Sequence, residues 1–232
     1  MSTDSQLPSS IIDSLCSKYD IILASSSPRR YEILHDIIGI TDLKTMVPTF
    51  EEDLDKTKYS SDPIGYVRDT SWCKAQSIIE ILTDYENEKT HEMGKPKLIV
   101  CADTIIIDKD GKIYEKPKTE EVQTRFLMKF CYEDDEPVNV VTAVTLIKWY
   151  SKNNFELVPF QDETKVYFDN KVPLEILQEY VKSGDGLNVG GGFKIQGQSA
   201  IFIEKIEGDY YNVVGLPLNK TFKGLYAEAS VV

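Results

Sequence analysis

The residues able to do chemistry in this chain gather in a few short stretches. Asp103 follows the apolar run "LIVCA", where a carboxylate is expensive unless it is paired or bound to a metal ion. Glu51 and Glu52 stand in a polar segment and could add oxygen ligands for a hard cation such as Mg²⁺, which typically uses one or two carboxylates together with substrate phosphates. Lys74 and Lys116 are candidate partners for those phosphates. The stretch "LASSSPRRYEIL" sets Arg29 and Arg30 in the first turn of a helix, with Ser27 as N-cap and Pro28 as the first helical residue. A helix N-terminus carries roughly half a positive charge, so each arginine there is unfavourable by about 0.3–1 kcal/mol unless an anion compensates. A strand, a serine-rich turn with free backbone N–H groups and two guanidinium groups together make an anion site, most naturally for phosphates. Taken singly, the same residues also read as plainer features: solvated arginines, an acidic loop, a surface helix lysine and an exposed hairpin lysine.

The segment "GDGLNVGGGFKIQGQSA" offers a different kind of chemistry. Glycines 190, 191 and 192 permit close backbone approach or positive φ, although a flexible surface loop has the same look. The segment does not match G-x-x-x-x-G-K-[ST], which argues against a P-loop NTPase. Gln196 carries a donor and an acceptor side by side and can match the O4/N3–H edge of uracil or thymine; alone, it is also an ordinary surface glutamine.

Alternating strands and helices supply an α/β frame for these groups. "DIILAS" reads as a buried strand, followed by a helix whose Tyr31, Leu34 and Ile38 share one stripe. "TDLKTMVPTF" reads as extended and "EEDLDKTKYSSD" as a polar loop, after which Asp62 and Pro63 open a helix to about Thr83. Residues 85–97 form a charged loop. "KLIVCADTIIID" is the clearest buried strand, and the Asp-Gly turn in "KDGK" predicts a hairpin with "KIYEK". A helix over 119–130 comes next, then strands "VNVVTAVTLIKWY" and "TKVYFDN" joined by a loop around "SKNNFE". "PLEILQEYVKSG" is a helix ending at Gly184, "AIFIEKIEG" a strand and "LPLNKTFKGLYAEA" a closing helix.

Composition narrows the class. With 232 residues the chain can bury a sizeable core, and 41% hydrophobic with 28% charged residues fits a soluble globular protein. The first twenty residues lack a signal-peptide pattern and no apolar run suits a membrane span, so a cytoplasmic location is expected. Cys16, Cys73, Cys101 and Cys131 are scattered without C-x-x-C spacing and read as buried thiols rather than disulfides or zinc ligands; His35 and His91 are too isolated for a histidine metal site. A formal net charge of −12 argues against a general nucleic-acid binder. Any anionic ligand must be held by a local cluster.

Together, "LASSSPRR", "CADTIII", "EKPK" after "DKDGKIY", "VVTAV", "GGFKIQG" and "EGDYYNVVGLPL" resemble, in order, the Maf family of nucleoside triphosphate pyrophosphatases over about residues 21–225. The resemblance implies an α/β fold with a mixed twisted β-sheet and flanking helices, related to inosine triphosphate pyrophosphatases. It implies one two-lobed domain over 1–232, with a core of about 20–227 and a short N-terminal extension. The implied reaction is hydrolysis of a nucleoside triphosphate to the monophosphate and pyrophosphate with Mg²⁺ or another divalent cation such as Mn²⁺. Asp103 matches the catalytic base, and Ser25, Arg29, Glu51, Lys74 and Lys116 match the polar set around phosphates and metal, Glu51 and Asp103 being the metal ligands. Arg29, Thr104 and Gln196 match positions tied to substrate choice, in the form of the dTTP/UTP branch; the branch acting on 7-methylguanosine triphosphate is the runner-up. A nucleotide-binding regulatory protein without turnover is the rival from another class. The expected partner is the nucleotide, with neither nucleic acid nor membrane, and a homodimer is left open.

The chain departs from the family pattern in places. Glu115 stands where a glycine is usual, Asn188 and Val189 replace an aspartate-lysine pair, and "EDDEP" replaces a short "SGR" turn. In the implied reaction water attacks the α-phosphorus, with Asp103 either accepting its proton or binding the metal that activates it.

Overall fold

The computed structural model describes residues 9–88 and 94–230, so His91 and part of the expected 85–97 loop lie outside the described residues. In chain order the elements are α1 (Ser9–Lys18), β1 (Asp20–Ala24), α2 (Pro28–Glu32), β2 (Lys44–Thr45), α3 (Pro63–Glu88), β3 (Lys97–Ile107), α4 (Glu120–Met128), β4 (Val138–Ser151), β5 (Asn154–Phe168), α5 (Leu174–Lys182), β6 (Ile203–Glu207), α6 (Tyr210–Val214) and α7 (Leu218–Ser230). The strands form one mixed sheet in the order β2-β1-β3-β4-β5-β6. β1 runs parallel to β2 and β3, and the other neighbours are antiparallel.

β3 lacks polar alternation because both its faces are covered. Leu98, Val100 and Ala102 pack with Leu15, Leu34 and Leu225 from α1, the turn after α2, and α7. Ile99 and Cys101 pack with Ala75, Ile78 and Leu82 of α3. α3 buries Tyr66, Val67, Thr70, Ser71, Lys74, Ala75, Ile78 and Leu82, a single helical face, and Asp62 caps its start by accepting the Gly65 N–H at 2.9 Å. The helix continues to Glu88, beyond the expected end near Thr83.

Other expectations need correction. "SKNNFE" is mostly strand: β4 and β5 form a hairpin that turns at residues 152–153. Pro159 hides β5 in the sequence, but β6 pairs only with residues 165–168, so Pro159 lies on an edge that tolerates a missing donor. "KIYEK" adds no strand, only a bridge between Ile107 and Ile113. Its turn is closed by the Asp108 side chain, whose Oδ1 accepts the N–H groups of Asp110 and Lys112 at 3.0 Å and whose Oδ2 accepts the Tyr114 hydroxyl at 2.8 Å. "AIFIEKIEG" is strand only over Ile203–Glu207, its start being a 3₁₀ turn, and the helices α1 and α6 were not expected. The cysteines are free thiols, Cys101 and Cys131 buried and Cys16 and Cys73 half-buried. Among the described residues no helix is long and apolar enough to cross a membrane.

Candidate active site

β1 stops at Ala24, whose partner is Cys101, while β3 runs on to Ile107. Beyond that point β3 has lost its parallel neighbour, and a cleft of about 610 Å³ opens where the chain leaves β1 for the serine turn. Ligands of open α/β sheets sit at such strand ends, where the strand order passes from one side to the other. Consecutive strand residues point to opposite faces, so Asp103 and Thr104 face different partners.

Asp103 meets Lys74 on α3. The Lys74 ammonium donates to Asp103 Oδ1 at 2.8 Å and lies 2.7 Å from Glu52 Oε1. Its side chain is 8% exposed, against 14% for Asp103 and 55% for Glu52. Lys74 is therefore no surface lysine. Asp103 Oδ2 has no hydrogen-bond partner among the described residues. Burial alone pushes the Glu52 carboxyl up, but the Lys74 charge and hydrogen bond, with Lys116 and Arg30, bring it below its ordinary value.

Thr104 meets the serine-arginine turn on the other face. Arg30 donates from Nη2 to Thr104 Oγ1 at 3.0 Å, from Nε to the Gly215 carbonyl at 2.8 Å and from Nη1 to Ser25 Oγ at 3.3 Å. Thr104 Oγ1 also lies 2.9 Å from Thr142 Oγ1. Arg29 donates from Nε to the Val214 carbonyl at 3.2 Å. Neither arginine is a solvated surface group. Burial lowers the pKa of both guanidinium groups, an effect countered at Arg30 chiefly by Asp103 and at Arg29 by Glu32 and Asp185. Ser27 Oγ accepts the Arg30 N–H, as an N-cap should.

The acceptors for these arginines come from "EGDYYNVVGLPL". Asp209 caps α6 by accepting the Tyr211 N–H at 2.8 Å. Asn212, fully buried, pegs the helix to the sheet through the Val140 carbonyl (2.8 Å) and Thr164 Oγ1 (3.1 Å). Gly215 follows at φ +135°, a conformation that side chains disfavour, and this aims its carbonyl at Arg30. Arg30 and the 212–215 segment were missed as a unit, because their contact spans 185 residues. The only local signal was the pair of cations in a first helical turn.

The remaining candidates divide. Ser25, Arg29, Lys74, Asp103, Thr104, Lys116 and Gln196 all line the cleft. Glu51 does not: it is exposed, and Glu52 takes its place in the wall. Glu52 holds φ +56°, so the backbone bends left-handed at this residue. Gln196 is exposed, and its carboxamide has no hydrogen-bond partner among the described residues. The glycine segment is packed rather than flexible. A side chain at Gly186 would collide with the Gly192 carbonyl and Gln123 Nε2, and the Gly191 N–H donates to the carbonyls of Tyr114 and Glu115. Within "EDDEP", Asp134 pairs with Lys129 at 2.9 Å and does not line the cleft. Among the described residues no group of three or more His, Cys, Asp or Glu could hold a metal ion; the carboxylates that line the cleft are Glu52, Asp103 and Glu115, and Lys74 joins the first two.

The chain is 81% identical over 232 residues, all of both chains, to a protein of Saccharomyces cerevisiae named dTTP/UTP pyrophosphatase. It is 38% identical to a Schizosaccharomyces pombe protein of the same name, covering 88% of this chain and 81% of that one. A Clostridium perfringens (strain SM101) protein, also so named, is 35% identical over 88% of this chain and 95% of its own. The description "Maf-like protein" matches residues 20–228, which take in the serine turn, the Lys74–Asp103 pair, the glycine segment and α6. This chain belongs to the Maf family.

Proposed function

We propose that this chain hydrolyses dTTP and UTP to the nucleoside monophosphate and pyrophosphate. The observation that carries the reading is the Lys74 grip on Asp103 and Glu52, which leaves one Asp103 oxygen unpartnered in a cleft that the serine-arginine turn also lines. The names of the relatives support the choice of substrate.

In this reading the triphosphate lies between Lys116 and the turn at Ser25–Arg29. Asp103 Oδ2 takes a proton from the attacking water, a new O–P bond forms at the α-phosphorus, and the bond to the bridging oxygen breaks, so that pyrophosphate leaves with the electron pair. Lys74 holds Oδ1 and thereby fixes the direction of Oδ2. Lys116 and Arg29 stabilise charge that grows on the phosphates, usually the largest catalytic contribution. In the alternative role Asp103 Oδ2 and Glu52 would hold Mg²⁺ or Mn²⁺, Asp103 then being a metal ligand and not the base, with phosphate and water oxygens as the usual further ligands of such an ion. Such an ion supplies charge neutralisation at the phosphate oxygens.

The test is pyrophosphate release from dTTP, UTP, dCTP, CTP and 7-methylguanosine triphosphate, with added Mg²⁺ and after chelation. Release should be fastest from dTTP and UTP and should collapse on chelation. Nucleotide binding with no pyrophosphate from any substrate would replace the enzyme by a binding protein.

A further inference from the structure

Glu115 puts a carboxylate in the wall of a cleft otherwise suited to a polyanion, directly before Lys116. Its side chain is 65% exposed. Left alone, it would repel a triphosphate and compete with it for Lys116. It is not alone: the Lys56 ammonium lies 2.9 Å from Glu115 Oε1.

Lys56 opens the 3₁₀ turn Lys56–Tyr59, which Asp55 caps by accepting the Thr57 N–H at 3.1 Å. The same ammonium sits 5.2 Å from the centre of the Tyr66 ring, and Tyr66 packs edge-on against Tyr59 at 5.5 Å. Lys56 is thus held from the α3 side and reaches across to the segment that carries Lys116. It does not line the cleft itself. The hydrogen bond to Glu115 is the main reason its ammonium pKa is raised.

The geometry points to Lys56 as a positioning residue of the site: it neutralises Glu115 and ties the loop bearing Glu52 to the segment bearing Lys116, so that Lys116 stays available to the phosphates. This inference rests on the function proposed above and deepens it. A direct phosphate ligand would act whatever residue stood at 115, whereas a compensating partner matters only while Glu115 is present.

Four proteins separate these cases: the parent, Lys56→Met, Glu115→Gly and the double variant. Exposed ion pairs are worth up to about 1 kcal/mol, so Lys56→Met should raise KM for dTTP about 3- to 5-fold with kcat within twofold. In the Glu115→Gly background the same substitution should change KM by less than about 1.5-fold. The single-variant effect should shrink as salt is raised, since exposed charges are screened, and Lys56→Arg should restore the parental KM. The dissociation constant of α,β-methylene-dTTP, read by calorimetry, should follow the same pattern without turnover. An equal loss in both backgrounds, or no loss in either, overturns the inference. If the parent binds the analogue in this pattern but releases no pyrophosphate, the pairing stands and the proposed reaction falls.

Discussion

Lys74→Met removes the cation that touches both Asp103 and Glu52. Breaking a buried ion pair from one side generally costs 3–5 kcal/mol, because the surviving charge is stranded. The two carboxylates here differ. Glu52, at 55% exposure, can turn to water, and its share is that of a surface pair. Asp103, at 14%, is largely withdrawn from water although it lines the cleft, and the Arg30 charge still acts on it. The expected cost is therefore at the low end, about 3 kcal/mol. For a chain of this size each kcal/mol moves the thermal midpoint by about 2–4 °C, so the fall should be roughly 6–12 °C. Methionine keeps most of the lysine stem, so lost packing explains little of it. Adding Asp103→Asn to Lys74→Met removes the stranded charge and should recover at least half of the loss. Calorimetric melting near neutral pH of the parent, both single variants and the double variant measures this. A Lys74→Met protein within about 1 kcal/mol of the parent, or a double variant no more stable than Lys74→Met, would refute the assignment of a buried pair.

Asp103→Asn alone should keep the fold and nucleotide binding but lower turnover at least ~10²-fold, the scale for losing a general base; a near-parental rate in the pyrophosphate assay would make Asp103 structural. Gln196 has an unrestrained carboxamide that can present either end to a base, so Gln196→Ala should change the dTTP-to-dCTP ratio of kcat/KM by less than about fivefold, the effect of one weak hydrogen bond. A larger change in competition assays would mean that bound nucleotide locks the amide. Glu52 sits below its ordinary value of 4.5 in the folded chain, so it adds stability above that pH and loses it as pH falls through the folded value. Urea unfolding below about pH 4.5 should therefore weaken the parent more steeply than Glu52→Gln, and parallel curves would contradict the Lys74–Glu52 contact.

Much of the frame was legible because its signals are local. Ser27 and Pro28 announced α2, and continuous apolar runs announced β1 and β3. Asp103 stood out because a carboxylate at the end of such a run demands a partner, and Lys74 is that partner. What could not be read depended on distant contacts or on single backbone angles. Which of two adjacent glutamates lines the cleft is not readable from their order, and Glu52, the one in the wall, holds a positive φ. Arg29 and Arg30 are neighbours in sequence, and it is the contacts of Arg30 with Ser25, Thr104 and the Gly215 carbonyl that separate them. α6 itself is too short to show a helical period, and it is fixed by the buried side chain of Asn212. The upstream half of β5 was hidden by Pro159, whose tolerance depends on where β6 stops.

The paired strands β4 and β5, 14 and 15 residues long, run behind both apolar clusters that flank the cleft. Val144 and Leu146 serve one cluster, Val138 and Val140 the other. A jaw hinged between the clusters would have to bend this doubly bonded ribbon and tear its ladder. The span between the two banks is therefore set when the sheet forms, like the gauge of a track. The stretch between β2 and α3, which carries Glu52 and the turn Lys56–Tyr59, stands outside that ladder. The width of the cleft is thus a property of the sheet, while the charge of Glu52 reaches its wall from a segment that the ladder does not hold.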